Sequence, residues 1–249
     1  MVDLGLTESR STAQRLIMAG EVRVNGQLTI KPATLVDAGA SLEIDKGPAY
    51  VSRGGDKLAA AFLNFPITAQ GKICADVGAS TGGFTDCLLQ QGAARVYAID
   101  VGEGILHWKL RKDERVVVME KTNARHLERL PEPISLLTVD ASFISLKVLL
   151  PIMNQWLQPE ADVIALVKPQ FEAGRQETSR GDGVIRNPEI HRRILHDVLG
   201  FAQEKGYTLQ GLLRSPLLGP KGNVEFLAWL KLHLENPILI DSFIDSVVA

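Results

Sequence analysis

Cysteine is scarce in this chain, which has two in 249 residues. Cys74 falls in a predicted core strand and Cys87 in a predicted helix, and their spacing matches no metal-binding pattern. The five histidines show no ligand spacing either. These absences exclude a disulfide-rich scaffold and a cysteine-based zinc site, so we predict reduced structural thiols and no metal.

Long hydrophobic runs and a strong charge excess are also missing. No run of about eighteen apolar residues is present to span a bilayer, and the first residues do not form a signal peptide. The composition, 45% hydrophobic and 22% charged, is that of a soluble globular protein, so we predict a cytoplasmic protein that needs no membrane. The net charge of −2 argues against a strongly basic coat for nucleic acid but leaves a local basic face open.

What the sequence does contain is a glycine-rich turn, Asp76–Phe84, between an apolar run and a helical pattern. A strand, a glycine turn and a helix in this order form a corner where backbone amides at the helix N-terminus can hold a ligand. The spacing G-x-x-x-G-G differs from the G-x-G-x-x-G of dinucleotide folds. It resembles the S-adenosylmethionine (SAM) corner of Rossmann-like methyltransferases, with an ordinary glycine-rich turn as the alternative.

A second acid, Asp100, ends the next predicted strand, where a carboxylate can accept both ribose hydroxyls of an adenosine. This acid favours the cofactor interpretation over the plain turn. We further predict that Asn123 lies near the adenine and that Asp140 contacts the cofactor as well as the substrate. The predicted contacts from the turn itself are Asp76, Gly78, Ala79, Ser80, Thr81, Gly82 and Gly83.

The first part of the chain, residues 1–46, has the pattern of a small α/β module. A helix is predicted from a Thr7 cap to Ala19, followed by a hairpin that turns at Asn25-Gly26 and by a further short strand. Residues 47–50 are the predicted linker, because Gly47-Pro48 interrupts any regular element.

From residue 51 the predicted strands alternate with helices, which indicates a parallel sheet. Residues 51–235 therefore predict an α/β, Rossmann-like SAM-dependent methyltransferase fold with a seven-stranded, mostly parallel sheet. The predicted strands cover 72–77, 94–99, 115–119, 134–139, 161–167, 207–214 and 224–231, and the helices cover 55–64, 84–91, 104–111, 145–157 and 188–205.

Two segments stand apart from this alternation. The loop between Phe171 and Asn187 is long, and we hypothesise that its Arg175 and Arg180 close over the substrate. The tail, residues 236–249, has an apolar helical pattern that predicts either a cap on the domain or a docking element.

Residues 7–46 resemble an RNA-binding module of the ribosomal protein S-four type. The matching segments are Glu8-Ser9-Arg10, Ala13-Gln14-Arg15-Leu16-Ile17, Gly20-Glu21-Val22 and Val24-Asn25-Gly26. The resemblance implies RNA binding, for which the candidate contacts are Arg10, Arg15, Arg23, Asn25 and, beside the linker, Arg53.

The chain up to about residue 232 resembles the TlyA family, whose members carry an FtsJ-like methyltransferase domain and are named either haemolysins or rRNA ribose 2′-O-methyltransferases. The matching motifs are Tyr50–Leu58, Asp76–Asp86, Thr122–Arg125, Asp140–Leu146, Lys168–Glu172 and Gly219–Phe226. Family members begin with a further segment before Gly5-Leu6, so the RNA module is expected to be truncated. The tail after about residue 235 has no clear family counterpart.

The resemblance implies a SAM-dependent transfer to ribose in rRNA of ribosomal subunits, with a tetrad of Lys57, Asp140, Lys168 and Glu225. Asp140 and Lys168 end predicted strands at the edge where such sheets bind ligands. A partly desolvated lysine beside another cation loses its proton more easily, so Lys168 is the candidate base or orients the hydroxyl. Lys57 assists it or holds a phosphate, and the two acids position the lysines.

Two alternatives remain open at this point. One is a haemolysin or cytolysin, although a pore needs apolar spanning elements and the sequence offers only the short tail. The other is a SAM-binding and RNA-binding protein without catalysis, against which the intact tetrad argues.

Overall fold

The computed structural model describes residues 1–45, 47–173, 183–232 and 239–248, and it divides into two compact units, Met1–Ala49 and Tyr50–Ala249. In these described ranges no helix combines the length and the apolar character needed to cross a membrane.

The smaller unit is one helix and a three-stranded antiparallel sheet of order β2-β1-β3. Its elements are α1 Arg10–Met18, β1 Val22–Val24, β2 Gln27–Thr29 and β3 Leu42–Ile44. The helix cap is Ser9 and not the predicted Thr7, because Ser9 Oγ accepts a hydrogen bond from the backbone amide of Thr12 at 3.2 Å. The predicted hairpin is confirmed: Asn25 and Gly26 both have positive φ, as a tight turn between twisted strands requires.

The larger unit contains a seven-stranded sheet of order β6-β5-β4-β7-β8-β10-β9. Strand β10 runs antiparallel to both of its neighbours, β8 and β9, and the other neighbouring pairs of this sheet are parallel. Its strands are β4 Ile73–Val77, β5 Arg95–Ile99, β6 Val116–Met119, β7 Ile134–Val139, β8 Leu157–Val167, β9 Tyr207–Arg214 and β10 Phe226–Leu232. Its helices are α2 Gly54–Asn64, α3 Gly83–Gln90, α4 Trp108–Arg111, α5 Leu146–Met153, α6 Pro169–Glu172, α7 Pro188–Glu204 and α8 Ile240–Val248. The predicted Rossmann-like methyltransferase fold is thereby confirmed.

Two apolar clusters cover the two faces of this sheet. Residues of α2, α3 and α4 pack on one face, and residues of α5, α7 and α8 pack on the other. Because both faces are covered, the central strands are mostly apolar and side chains of either parity are buried in them. The tail belongs to this scaffold, since Ile240, Ile244 and Val248 are buried and α8 packs on α7 and β9. It caps the unit.

Two predicted helices are shorter than expected. The helix predicted over 104–111 begins only at Trp108, because the Glu120 carboxylate accepts hydrogen bonds from the backbone amides of Gly104, Ile105 and Leu106. The helix predicted over 145–157 ends at Met153 and continues as a short 3-10 turn. In the first of these places the tertiary contacts of Glu120 override the helical pattern.

Candidate active site

The glycine turn lies at the carboxyl edge of the sheet, between β4 and α3. Gly78 has φ +83° and Gly82 has φ +98°, a region that residues with a side chain rarely adopt. A Cβ at Gly78 would lie 2.6 Å from the carbonyl oxygen of Asp140, and one at Gly82 would lie 2.2 Å from Leu110. The glycines therefore bring the turn against the end of β7 and against α4.

Asp76 supports this turn from beneath. Its side chain is fully buried, and its carboxylate accepts hydrogen bonds from the hydroxyls of Thr85 at 2.7 Å and Thr138 at 3.0 Å. Burial, which outweighs these hydrogen bonds, raises the pKa of Asp76 to about 7. Asp76 therefore holds α3 and β7 to the start of the turn from inside the protein, and its predicted contact with the cofactor stays a prediction.

This buried carboxyl has a measurable consequence. Because the folded-state pKa of Asp76 lies above its ordinary value of 3.8, the folded protein holds an extra proton between these values. The free energy of unfolding should then fall as the pH rises towards 7, by up to about 1.4 kcal/mol per pH unit, and level off above 7. Denaturant unfolding of the wild type and of Asp76→Asn across this range checks the prediction. Identical pH slopes in the two proteins would contradict it.

Asp100 is fixed at the end of β5 by two backbone amides. One carboxylate oxygen accepts from Ser80 and the other from Gly102, both at 2.8 Å. Asp100 and Asn123 line a cavity of about 290 Å³, together with Gly78, Ser80 and Asp140. Five of the predicted cofactor residues therefore meet in one place, where the Asp100 carboxylate keeps lone pairs for further donors.

The four predicted catalytic residues form two ion pairs. Lys57 Nζ lies 2.6 Å from Glu225, whose side chain is fully buried, and Lys168 Nζ lies 2.6 Å from Asp140 Oδ1. Lys168 also donates a hydrogen bond to Ser142 Oγ at 3.1 Å. A buried carboxylate requires such a cation, since burying a charge without a partner costs roughly several kcal/mol more than leaving it in water.

Both pairs line a second cavity, of about 320 Å³, which the glycine turn also borders through Gly78, Ala79, Ser80, Thr81 and Gly83. This cavity shares Gly78, Ser80, Asp140 and Ser142 with the first one. The two cavities therefore adjoin at these residues, and together we call them the cleft, with Asp100 and Asn123 at one end and the paired lysines and acids at the other. Topology explains this convergence, because the carboxyl ends of neighbouring parallel strands meet at one edge.

Three residues of the site were missed from the sequence. Ser142 contacts Lys168, and Phe143 is 90% exposed at φ +64° with its ring 5.0 Å from that of Phe171. Gly219 leaves room for Glu225, since a Cβ there would lie 2.1 Å from Glu225 Oε1. The motifs containing these residues were visible, but their contacts depend on loops that only the fold brings together.

The candidate RNA contacts are in different situations. Arg10 and Arg15 are exposed on α1. Arg23 is ion-paired with Asp45 at 3.0 Å, and Asn25 accepts a hydrogen bond from the amide of Ser41 at 2.8 Å, so both stabilise the hairpin region.

The other predicted substrate contacts lie in the larger unit. Arg53 lines the cavity of the catalytic pairs, beside Ser52 and Gly54. Arg175 and Arg180 lie outside the described residues.

Comparisons with known proteins show the family of this chain. The model of the FtsJ-like methyltransferase family matches residues 50–232, and the model of the S4 domain matches residues 1–42. The chain is 44% identical over 251 residues to the 16S/23S rRNA (cytidine-2′-O)-methyltransferase TlyA of Mycobacterium tuberculosis. The aligned region covers 99% of this chain and 93% of the relative. It is 46% identical over 244 residues to YqxC of Bacillus subtilis, a protein provisionally named an rRNA methyltransferase. That alignment covers 95% of this chain and 84% of the relative.

A solved structure from Streptococcus thermophilus, provisionally named a hemolysin, superposes with a TM-score of 0.78 at 43% identity over 98% of this chain and 90% of that one. The matched family model spans the glycine turn and all four residues of the two ion pairs. The chain therefore belongs to the FtsJ-like methyltransferase family and, within it, to the TlyA proteins that carry an N-terminal S4 domain.

Proposed function

We propose that this protein transfers a methyl group from SAM to a ribose 2′-hydroxyl of ribosomal RNA. The observation that carries the proposal is the cleft that joins the glycine turn and Asp100 to the pairs Lys57–Glu225 and Lys168–Asp140. By analogy with the relative from Mycobacterium tuberculosis, the target is a cytidine. Because ribosomal RNA is the proposed substrate, the proposed location of the reaction is the cytoplasm.

The cleft suits SAM in shape and in donor set. Asp100 is held rigidly with free lone pairs for the ribose hydroxyls, and Asn123 lies beside it for the adenine. Gly78 and Gly82 let the turn pack closely against the end of β7 and against α4. The turn borders the catalytic cavity through Gly78, Ala79, Ser80, Thr81 and Gly83, where it can hold the methionine end. When bound there, SAM supplies an electrophilic methyl group that needs an in-line nucleophile.

The paired side chains supply what the nucleophile needs. A ribose hydroxyl is a weak nucleophile, so it must be oriented and must lose its proton as the bond forms. Lys168 and Asp140 are paired at the ends of β8 and β7, where the Lys168 ammonium is placed to orient that hydroxyl and the Asp140 carboxylate to receive its proton. Lys57, anchored by the buried Glu225, adds a cation that can hold a backbone phosphate.

The hemolysin names among the relatives suggest a second activity, membrane lysis. The geometry favours methyl transfer, because lysis gives no role to two buried ion pairs beside a glycine turn. An RNA-binding protein without catalysis would likewise not require Lys168 and Asp140 at the junction of the two cavities.

The direct test is methyl transfer from labelled SAM to ribosomal subunits that lack the modification. The expected product is a 2′-O-methylnucleoside, identified by nucleoside mass analysis and by resistance of the adjacent phosphodiester to alkali. Label on a base, or on ribosomal protein, would contradict the proposal. Absence of any incorporation despite SAM binding by calorimetry would contradict it as well.

Phe143 gives a sharper prediction about the part of the cleft beside Asp140 and Ser142, which line both cavities. An aromatic ring that is 90% exposed beside Asp140 and Ser142 offers a surface on which an unstacked base can rest. Phe143→Ala should lower kcat/KM for RNA by about tenfold or more, with part of the loss in kcat, because the target ribose is then less well aligned. Phe143→Tyr should keep most of the activity, and equal loss in both variants would contradict the stacking role.

A further inference from the structure

Trp108 is the second strongly exposed aromatic side chain of this protein. It is 64% exposed, whereas Trp156 and Trp229 are 2% and 8% exposed. Burying or stacking an indole is favourable, and tryptophans are enriched where proteins contact partners, so a strongly exposed indole is a candidate contact residue when its surroundings also suit a partner.

Trp108 lies next to the catalytic cleft. It begins α4, and the preceding residue, His107, donates a backbone hydrogen bond to the carbonyl of Thr81 at 3.1 Å. Thr81 lines the cavity of the two ion pairs. On the other side of the turn, Leu110 of α4 is buried and approaches Gly82 closely. The start of α4 is therefore attached to the wall of the catalytic cavity.

The segment that presents Trp108 is fixed in place. Glu120 accepts hydrogen bonds from the backbone amides of Gly104, Ile105 and Leu106, and it is also ion-paired with Arg111 of α4. The Arg111 guanidinium and these amides hold the pKa of Glu120 near 2, so the clamp is charged at neutral pH. A rigid aromatic loses little conformational entropy when it binds a partner.

The charges around the indole are those of a nucleic-acid contact. Lys112 Nζ lies 5.1 Å from the centre of the Trp108 ring, and the His107 ring centre lies 5.7 Å away. Lys109 and Lys112 form no ion pair with a carboxylate among the described residues, although Lys109, after Arg115, helps to lower the pKa of Asp113. Arg111 is paired with Glu120. Of the nearby acids, Asp113 is paired with Arg115 and Glu103 with Lys121, which leaves Glu114 as the unpaired acid in the described part of this segment.

We infer that Trp108, with Lys109 and Lys112, is a stacking platform for a single-stranded RNA nucleotide that flanks the methylated one. The indole stacks on the base, which works for any base sequence, and the two ammonium groups contact the neighbouring phosphates. This inference rests on the proposed RNA substrate and adds a contact outside the catalytic cleft.

Tryptophan fluorescence tests the contact directly, because Trp156 and Trp229 are buried and RNA contributes no indole signal. Titration with an unmodified rRNA transcript should quench the emission of the wild type and change that of Trp108→Ala little. The apparent affinity of Lys109→Ala/Lys112→Ala should be less salt-dependent, with the log–log slope reduced by about one to two. Equal quenching in wild type and Trp108→Ala would overturn the inference.

Steady-state kinetics separates this platform from the catalytic groups. Trp108→Ala should raise KM for ribosomal subunits about tenfold while kcat and the Kd for SAM stay within twofold (roughly), since stacking on a flanking base affects binding alone. Trp108→Phe should recover most of the loss, and Leu63→Ala, which removes an exposed apolar side chain on α2, should have no effect.

The outcomes are distinguishable from failure of the proposed function. An inactive wild type would contradict the proposed function itself. An active wild type with unchanged KM in Trp108→Ala would overturn only the platform. A parallel loss of SAM affinity and RNA affinity would also overturn it, because that result indicates a structural role beside Thr81.

Discussion

Replacing Lys168 by methionine should lower the rate of methyl transfer by about 10²–10⁴-fold while SAM still binds. Methionine keeps the length and the apolar stem of the side chain but removes the ammonium group that faces Asp140 at 2.6 Å and Ser142 at 3.1 Å. The stated loss is the typical contribution of positioned proton transfer and hydroxyl orientation. Single-turnover transfer to ribosomal subunits at saturating SAM measures it, with calorimetry for SAM binding.

A matched control is available at the other edge of the sheet. Lys72 pairs with the nearly buried Asp162 at 2.8 Å, just before β4, so Lys72→Met also removes a cation from a buried acid. Both variants should lose stability for that reason. Only Lys168→Met should lose catalysis. If its rate of methyl transfer stayed within about threefold of the wild-type rate, Lys168 would have no role in the mechanism.

Replacing Gly78 by alanine should have the second large effect, on cofactor binding. The new Cβ would lie 2.6 Å from the Asp140 carbonyl oxygen and 2.9 Å from its carbon, and a backbone contact cannot be relieved by turning a side chain. The residue would also pay about 1–2 kcal/mol for its positive φ. The turn and Asp140 must separate, so SAM affinity should fall at least about tenfold and turnover about 10²-fold.

Gly71→Ala separates strain from collision. Gly71 has φ +70°, but a Cβ there meets nothing within 4 Å. This variant should lose only the strain energy of its positive φ, about 1–2 kcal/mol, in thermal unfolding. Its affinity for SAM should not change. Normal SAM binding by Gly78→Ala would mean that the glycine turn does not form as the structure shows.

The sequence predicted most of the scaffold because its signals are local. The apolar run of β4, the glycine turn and the start of α3 follow from spacing alone, and so does the hairpin at Asn25-Gly26. The meeting of Asp140 and Lys168 could also be predicted, since both end parallel strands at the carboxyl edge.

Other features could not be derived locally because distant residues decide them. Glu120 holds the backbone that would otherwise extend α4, which shortens a helix with a good pattern. Ser9 caps α1 in place of Thr7 by one hydrogen bond, a difference that spacing does not distinguish. Each such choice changes the free energy of unfolding by about 1 kcal/mol, a difference too small for local sequence patterns to predict.

The sequence by itself therefore determined the class of fold, the glycine corner and the strand ends that carry Asp140 and Lys168, because strand ends and glycine spacing are properties of neighbouring residues. Lys57 and Glu225 were assigned to the site by the family resemblance. The tertiary structure alone decided which acid is accessible. Asp76 and Asp100 both follow apolar runs, yet Asp76 is enclosed by Thr85 and Thr138, whereas Asp100 borders the cleft. It also decided that Phe143 and Trp108 stay exposed, since exposure depends on the loops packed around a side chain and not on its identity.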